Sequence, residues 1–267
     1  MSTIDRDLDP VLEHGDPDDL AVLADYITDN GAGRLSLDSD VCKTLHGARV
    51  DRDFGDVERS LIAKEIRLFG GNSVINLFRG DGVPYAEVLR DVASHIGVRF
   101  SKTTAASEIE ERLLRHLLGR ALEKMSESER AAILTDLEME ALVGKKPAAM
   151  AVALTGWELR GPATYKLAFI MANALARTLA GRGLVFGANA ALGRTLGIAL
   201  GPIGWAVTGL WSIADLASPA YRVTVPCVVQ LAYMRQKMKV SKNCPSCREP
   251  VESSARFCPN CGHKLKK

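Results

Sequence analysis

SEIEERLLRHLLGRALEKM, residues 107–125, is the stretch that decides the fold. Ile109, Leu113, Leu114, Leu117, Leu118, Ala121, Leu122 and Met125 recur every three or four residues, which lines one face of an α-helix with apolar side chains. Ser107 and Glu110 have the spacing of a capping box, in which a hydroxyl and a carboxylate each accept from the other's backbone N–H. Ser126 and Glu129 repeat it, so a second helix is predicted directly downstream.

Upstream the same signs recur. Asp16 before Pro17 is a cap followed by a proline at the first helical position, opening PDDLAVLADYIT with Leu20, Leu23, Ala24 and Ile27 on one face. Leu61, Ile62, Ile66 and Phe69 form a stripe from Val57 that stops at Gly70-Gly71. Ser73 is predicted to cap a short helix through Arg79, and Pro84 to start another that Gly97 closes. Residues 31–56 are rich in Gly, Asp and Ser and read as a loop with at most a short helix. No segment alternates with period two, so residues 1–147 are expected to form an acidic all-α domain.

At Pro147 the composition changes. Between Ala148 and Ala220 the charged residues are Glu158, Arg160, Lys166, Arg177, Arg182, Arg194 and Asp215, and Ala, Gly and Leu dominate. Residues 148–240 are therefore read as an apolar helical region, with a hairpin at about 184–214. Gly193, Gly197 and Gly201 fall every fourth residue and strip side chains from one helical stripe, so that another helix can approach closely. Each costs about 1 kcal/mol relative to alanine in an aqueous helix, so packing has to offset it. Pro202 and Gly204 place the bend. Thr195 to Ala214 carries no charge, and its length matches the ~20 residues of a bilayer-crossing helix, with Trp205 and Trp211 as interfacial anchors.

Two readings follow: association with membrane lipid, or a tightly packed soluble core. The glycine stripe also offers a homo-oligomer contact. If the hairpin inserts, the basic flank Arg235, Lys237, Lys239 and Lys242 is expected to stay cytoplasmic beside anionic lipid of the inner membrane.

The last 27 residues, 241–267, carry the most specific motif. Cys244-x2-Cys247 and Cys258-x2-Cys261 have the spacing of two metal-binding knuckles, and four thiolates are the tetrahedral set of structural zinc. Four protein ligands leave no position for substrate or water, which argues against catalysis at the metal. Phe257 is expected in the ribbon's small core and His263 in solvent. Lys242, Arg248, Arg256, Lys264, Lys266 and Lys267 make the segment basic, the minimum for nucleic acid, although docking of a protein partner or lipid ranks at least as high. Cys42 and Cys227 stand apart, and Cys227 in VPCVV reads as a small core residue.

Charge is polarised along the chain. The formal net charge of +2 hides fifteen acidic against six basic side chains in residues 1–60, and ten basic against two acidic in residues 216–267. The first residues lack an apolar stretch behind a basic start, so a cytoplasmic location with reduced thiols is expected.

No catalytic constellation emerges. There is no phosphate-binding GxxxxGK[ST] and no HExxH, and GRGLVFG places its last glycine one residue too late for a dinucleotide loop. His14, His46, His95 and His116 are scattered, and His116 reads as a boundary residue of its helix. Gly70-Gly71-Asn72-Ser73 reads as a helix stop followed by a cap.

DLDPVLEHGDPDDLAVLADYIT, IRLFGGNSVINLFRGDGVPYAEVLRDVASHIGV with EIEERLLRHLLGRALEKM, and SPAYRVTVPCVVQLAYMRQKM together resemble the bacterial YaaW-like family. The likeness runs in patches over about residues 5 to 240, LFGGNS and AYRVTVP being its most specific pieces. It implies a helical protein, with a central region similar to the ubiquinol–cytochrome c chaperone domain, and it assigns no catalytic residue. The zinc ribbon is an addition to the simpler members. The expectation is a non-enzymatic helical protein acting on membrane through its hairpin, or a chaperone-like assembly factor, or a nucleic-acid binder through the ribbon.

Overall fold

The computed structural model describes residues 4–34, 37–70, 82–156, 162–181, 220–247, 250–252, 255–258 and 261–265. Over these the protein is all-α with a small C-terminal ribbon. The helices are α1 (Asp9–His14), α2 (Pro17–Thr28), α3 (Ser39–Asp51), α4 (Asp56–Phe69), α5 (Tyr85–Ile96), α6 (Ala106–Lys124), α7 (Glu127–Asp136), α8 (Pro147–Gly156), α9 (Pro162–Leu179) and α10 (Tyr221–Val240). Strands β1 (Ser241–Asn243) and β2 (Pro250–Glu252) pair antiparallel, with Lys242 opposite Val251.

Most of the predicted caps form. The Asp16 side chain accepts from the Asp19 N–H with Pro17 at the first turn, and Ser126 with Glu129 makes a reciprocal capping box. Gly97 ends α5 in the left-handed conformation. The Ser107–Glu110 cap does not form: α6 begins two residues before the start that a Ser107 cap would set, its N-cap is Ala105 without a side-chain bond, and Glu110 turns into the core. The loop expected over 31–56 contains the 13-residue α3, capped by Asp38. That helix buries only Leu45 and Ala48, so its apolar periodicity was too sparse to announce it. The Ser73–Arg79 helix and the 184–214 hairpin, with Gly193, Gly197, Gly201, Trp205 and Trp211, lie outside the described residues.

α10 is the spine. It packs on α1, α2, α4, α5, α6 and α9, and is buried from Val223 to Gln236. One apolar cluster runs from Leu8 to Met234 and joins helices on both sides of residue 147. Pro226 sits inside α10 and removes one intrahelical donor, an interruption that this surrounding packing carries.

The order along the spine follows from its contacts. Lys237 pairs with Asp16 and Asp19 at the start of α2, and Gln230 donates to the Asp19 carbonyl, so α2 runs back along α10 toward its N-terminus. Asn30, just past α2, donates to the carbonyl of Leu179, the last residue of α9. The Tyr165 ring lies 6.0 Å and the Phe169 ring 5.8 Å from that of Tyr233. α9 and α10 are therefore antiparallel, and both flanks of residues 182–219 lie at one end of the body. The ribbon leaves from the other end, about 30 Å away along a 20-residue helix.

Gly82 enters α5 at a close crossing. Its φ is +74°, and a Cβ there would lie 2.5 Å from the Arg67 carbonyl carbon. Gly82→Ala is expected to cost about 1–3 kcal/mol in a urea melt, since neither backbone can yield without breaking the Val83 N–H to Arg67 C=O bond.

Candidate metal centre

β1 follows α10 without a linker, and the chain then turns through Cys244 and Cys247, returns through β2, and reaches Cys258 and Cys261. The left-handed φ of Gly262 lets the backbone turn past the last cysteine. The four Sγ atoms all lie within 4.8 Å of one another. Cys244 and Cys261 are 3.7 Å apart, and Cys247 and Cys258 are 3.6 Å apart. A tetrahedron of thiolates around Zn²⁺ at about 2.3 Å has an edge of about 3.8 Å, so the donors fit such an ion. None of the four is joined in a disulfide. The backbone N–H of Cys247, followed by that of Ser246, holds the Cys244 thiol down at about 6, ready to ligate as thiolate.

The ribbon has a core of its own, made of Cys244, Val251, Cys258 and Leu265. Phe257, expected there, is 56% exposed. It adjoins Cys258 at an isolated β-bridge, and with Cys258 buried in the cysteine cluster Phe257 falls on the other side of the backbone. His263 is exposed, as expected.

The basic flank is used largely inside the protein. Arg235 Nε lies 2.7 Å from Glu110 Oε2, and its Nη2 donates to Glu110 Oε1 at 3.2 Å and to the Asp7 carbonyl. The Tyr85 hydroxyl donates to Glu110 Oε1 at 2.7 Å. Burial pushes the Glu110 carboxyl above the usual range, while Arg235 and then Tyr85 pull it back. Sequence spacing offered no sign of this triad, because its members lie 25 and 125 residues apart.

Lys237 makes a second, half-buried set, at 2.5 Å from Asp16 and 2.8 Å from the buried Asp19. Burial disfavours its ammonium, but Asp19 and Asp16 outweigh that and raise its pKa. Lys239 pairs with Glu111 at 3.3 Å. These contacts clamp the last turns of α10, and with them the root of the ribbon, to α2 and α6.

Burial raises the Asp19 carboxyl from 3.8 to about 6, against the pull of Lys237. The folded chain thus holds this proton more tightly than the unfolded chain. The contribution of Asp19 to stability is full below its unfolded value and is lost as pH rises through about 6. The stability of wild type relative to Asp19→Asn is expected to fall from about pH 4.5 to about pH 7 in paired urea melts, and a flat or rising relative stability would contradict the assignment.

Among the described residues no helix is long and apolar enough to cross a membrane. Cys227 is buried and its thiol is pushed up by burial, in keeping with a core residue.

Comparison with known proteins agrees with the architecture. Residues 241–265 match a zinc-ribbon domain, and residues 59–229 match the ubiquinol–cytochrome c chaperone family. A UPF0174 protein of Helicobacter pylori is 34% identical over 234 residues, covering 87% of this chain and 92% of the relative. The UPF0174 protein YaaW of Escherichia coli K12 is 30% identical over 242 residues, covering 89% of this chain and 97% of its own. No solved structure matches. The matching family model over residues 59–229 is the one described as a chaperone.

Proposed function

The chain belongs to the UPF0174 family and to the ubiquinol–cytochrome c chaperone family, and from that premise we propose that it is a non-enzymatic, chaperone-like assembly factor. The observation that carries the reading is the antiparallel pairing of α9 and α10. It sets the roots of the 184–214 tract and of the ribbon at opposite ends of one clamped spine. In this reading the tract is the segment that meets apolar surface on a client, its Gly193, Gly197 and Gly201 stripe allowing a client helix to approach closely. The ribbon, loaded with zinc, docks a protein partner, and the protein works in the cytoplasm.

A second reading keeps the same tract but gives it a lipid target. Its support is the charge-free run Thr195–Ala214 with Trp205 and Trp211, which suits contact with the inner membrane.

One comparison separates the two. Full-length chain and a chain lacking residues 183–214 are assayed for suppression of aggregation of a heat-labile protein and for flotation with anionic liposomes. The chaperone-like reading expects suppression by the full chain alone and no flotation. Flotation that the deletion abolishes would favour the lipid reading, and equal behaviour of both chains in both assays would contradict each.

A further inference from the structure

The outward face of the ribbon has no role in holding the ribbon together. Phe257 and Lys264 face each other across an isolated antiparallel β-bridge, so their side chains share a face, while their neighbours Cys258 and Leu265 are buried in the ribbon's core. Arg256 is exposed beside them. An exposed aromatic ring with a cationic side chain opposite it is a common kind of interface anchor.

A patch of opposite character lies at the turn from α3 to α4. Val50 is 59% and Val57 64% exposed, and Asp51, Asp53 and Asp56 between them are exposed as well. This turn sits at the ribbon end of the body. Arg59 donates to the carbonyls of Phe54 and Gly15, Gly15 abuts Met234 of α10, and Arg52 pairs with Asp18.

We propose that this chain pairs with a second copy of itself, the ribbon face of each seated on the acidic turn of the other. Phe257 meets Val50 and Val57, and Arg256 and Lys264 meet the aspartates. Because both patches lie at the same end of the molecule, a twofold axis makes the contact twice and closes the pair without leaving a free surface for filaments. The inference stands apart from the chaperone-like reading, and a dimer without client activity would leave it intact.

The test is sedimentation of the zinc-loaded full chain over a concentration series at low and high salt. A dimer that weakens with salt is expected, because its rim is ionic. Phe257→Ala is expected to raise the dimer Kd at least about tenfold, with circular dichroism and metal content unchanged. Arg256→Glu with Lys264→Glu, or Asp51→Lys with Asp53→Lys, should each give monomers. Mixing the two variants should restore a dimer, since both contacts of the heterodimer again match in charge. A monomer at every concentration overturns the proposal, as does a dimer indifferent to these substitutions. A monomer that binds a short single-stranded oligonucleotide through Phe257 overturns it in favour of nucleic acid.

Discussion

Arg235→Met is expected to cost the fold about 3–5 kcal/mol at neutral pH, because it strands a carboxylate that is shut off from water. Glu110 is fully buried, and the arginine supplies two of the three side-chain donors that hold it as an anion. Methionine fills much of the arginine stem's volume, so the loss reads the charge and not a cavity. Adding Glu110→Gln should recover most of the loss, since the amide carries no stranded charge. A small effect of Arg235→Met alone, or no recovery in the double variant, would show that the pair does not clamp α10 to α6.

Removal of the metal has a larger but local effect. The ribbon's core contains Val251 and Leu265 besides two of the ligands, which is too little apolar area to fold alone. Metal binding supplies on the order of 10 kcal/mol in such units, so a strong chelator, or Cys258→Ser, is expected to abolish amide protection over residues 241–265. The helical circular dichroism should persist, because the spine is held by Glu110, Asp16 and Asp19, none of which belongs to the ribbon. Loss of the helical signal together with the metal would contradict this separation.

What the sequence made legible was what is local. The four cysteines lie within eighteen residues, and the tetrahedral set follows from their spacing alone. The caps at Asp16 and Ser126 are equally short-range, and both form. Glu110 shows the limit: a serine followed three residues later by a glutamate is the pattern of a cap, but the same carboxylate is the acceptor of a guanidinium 125 residues away. Spacing along the chain cannot distinguish the two, since the choice is made by which helices pack together. Lys237 and Arg235 look like free members of a basic flank along the chain for the same reason, their partners being far away in sequence. α3 was missed because its apolar face is short, and Phe257 was misplaced because a strand adjoining a metal ligand inverts the usual expectation for an aromatic.

The α9 and α10 pair gives these parts a common arrangement. The candidate metal site lies at one end of the spine, and the roots of the small-residue tract lie at the other. If residues 183–214 act on other molecules, as proposed, the helical body has to hold together without them. Amide hydrogen exchange over α9 and α10 in a chain lacking 183–214 tests this most directly. The account predicts protection across Val223–Gln236 equal to that of the full chain, with change confined to the ends at Leu179 and Tyr221. Collapse of protection throughout α10 would contradict it and would place the tract within the core that holds the fold together.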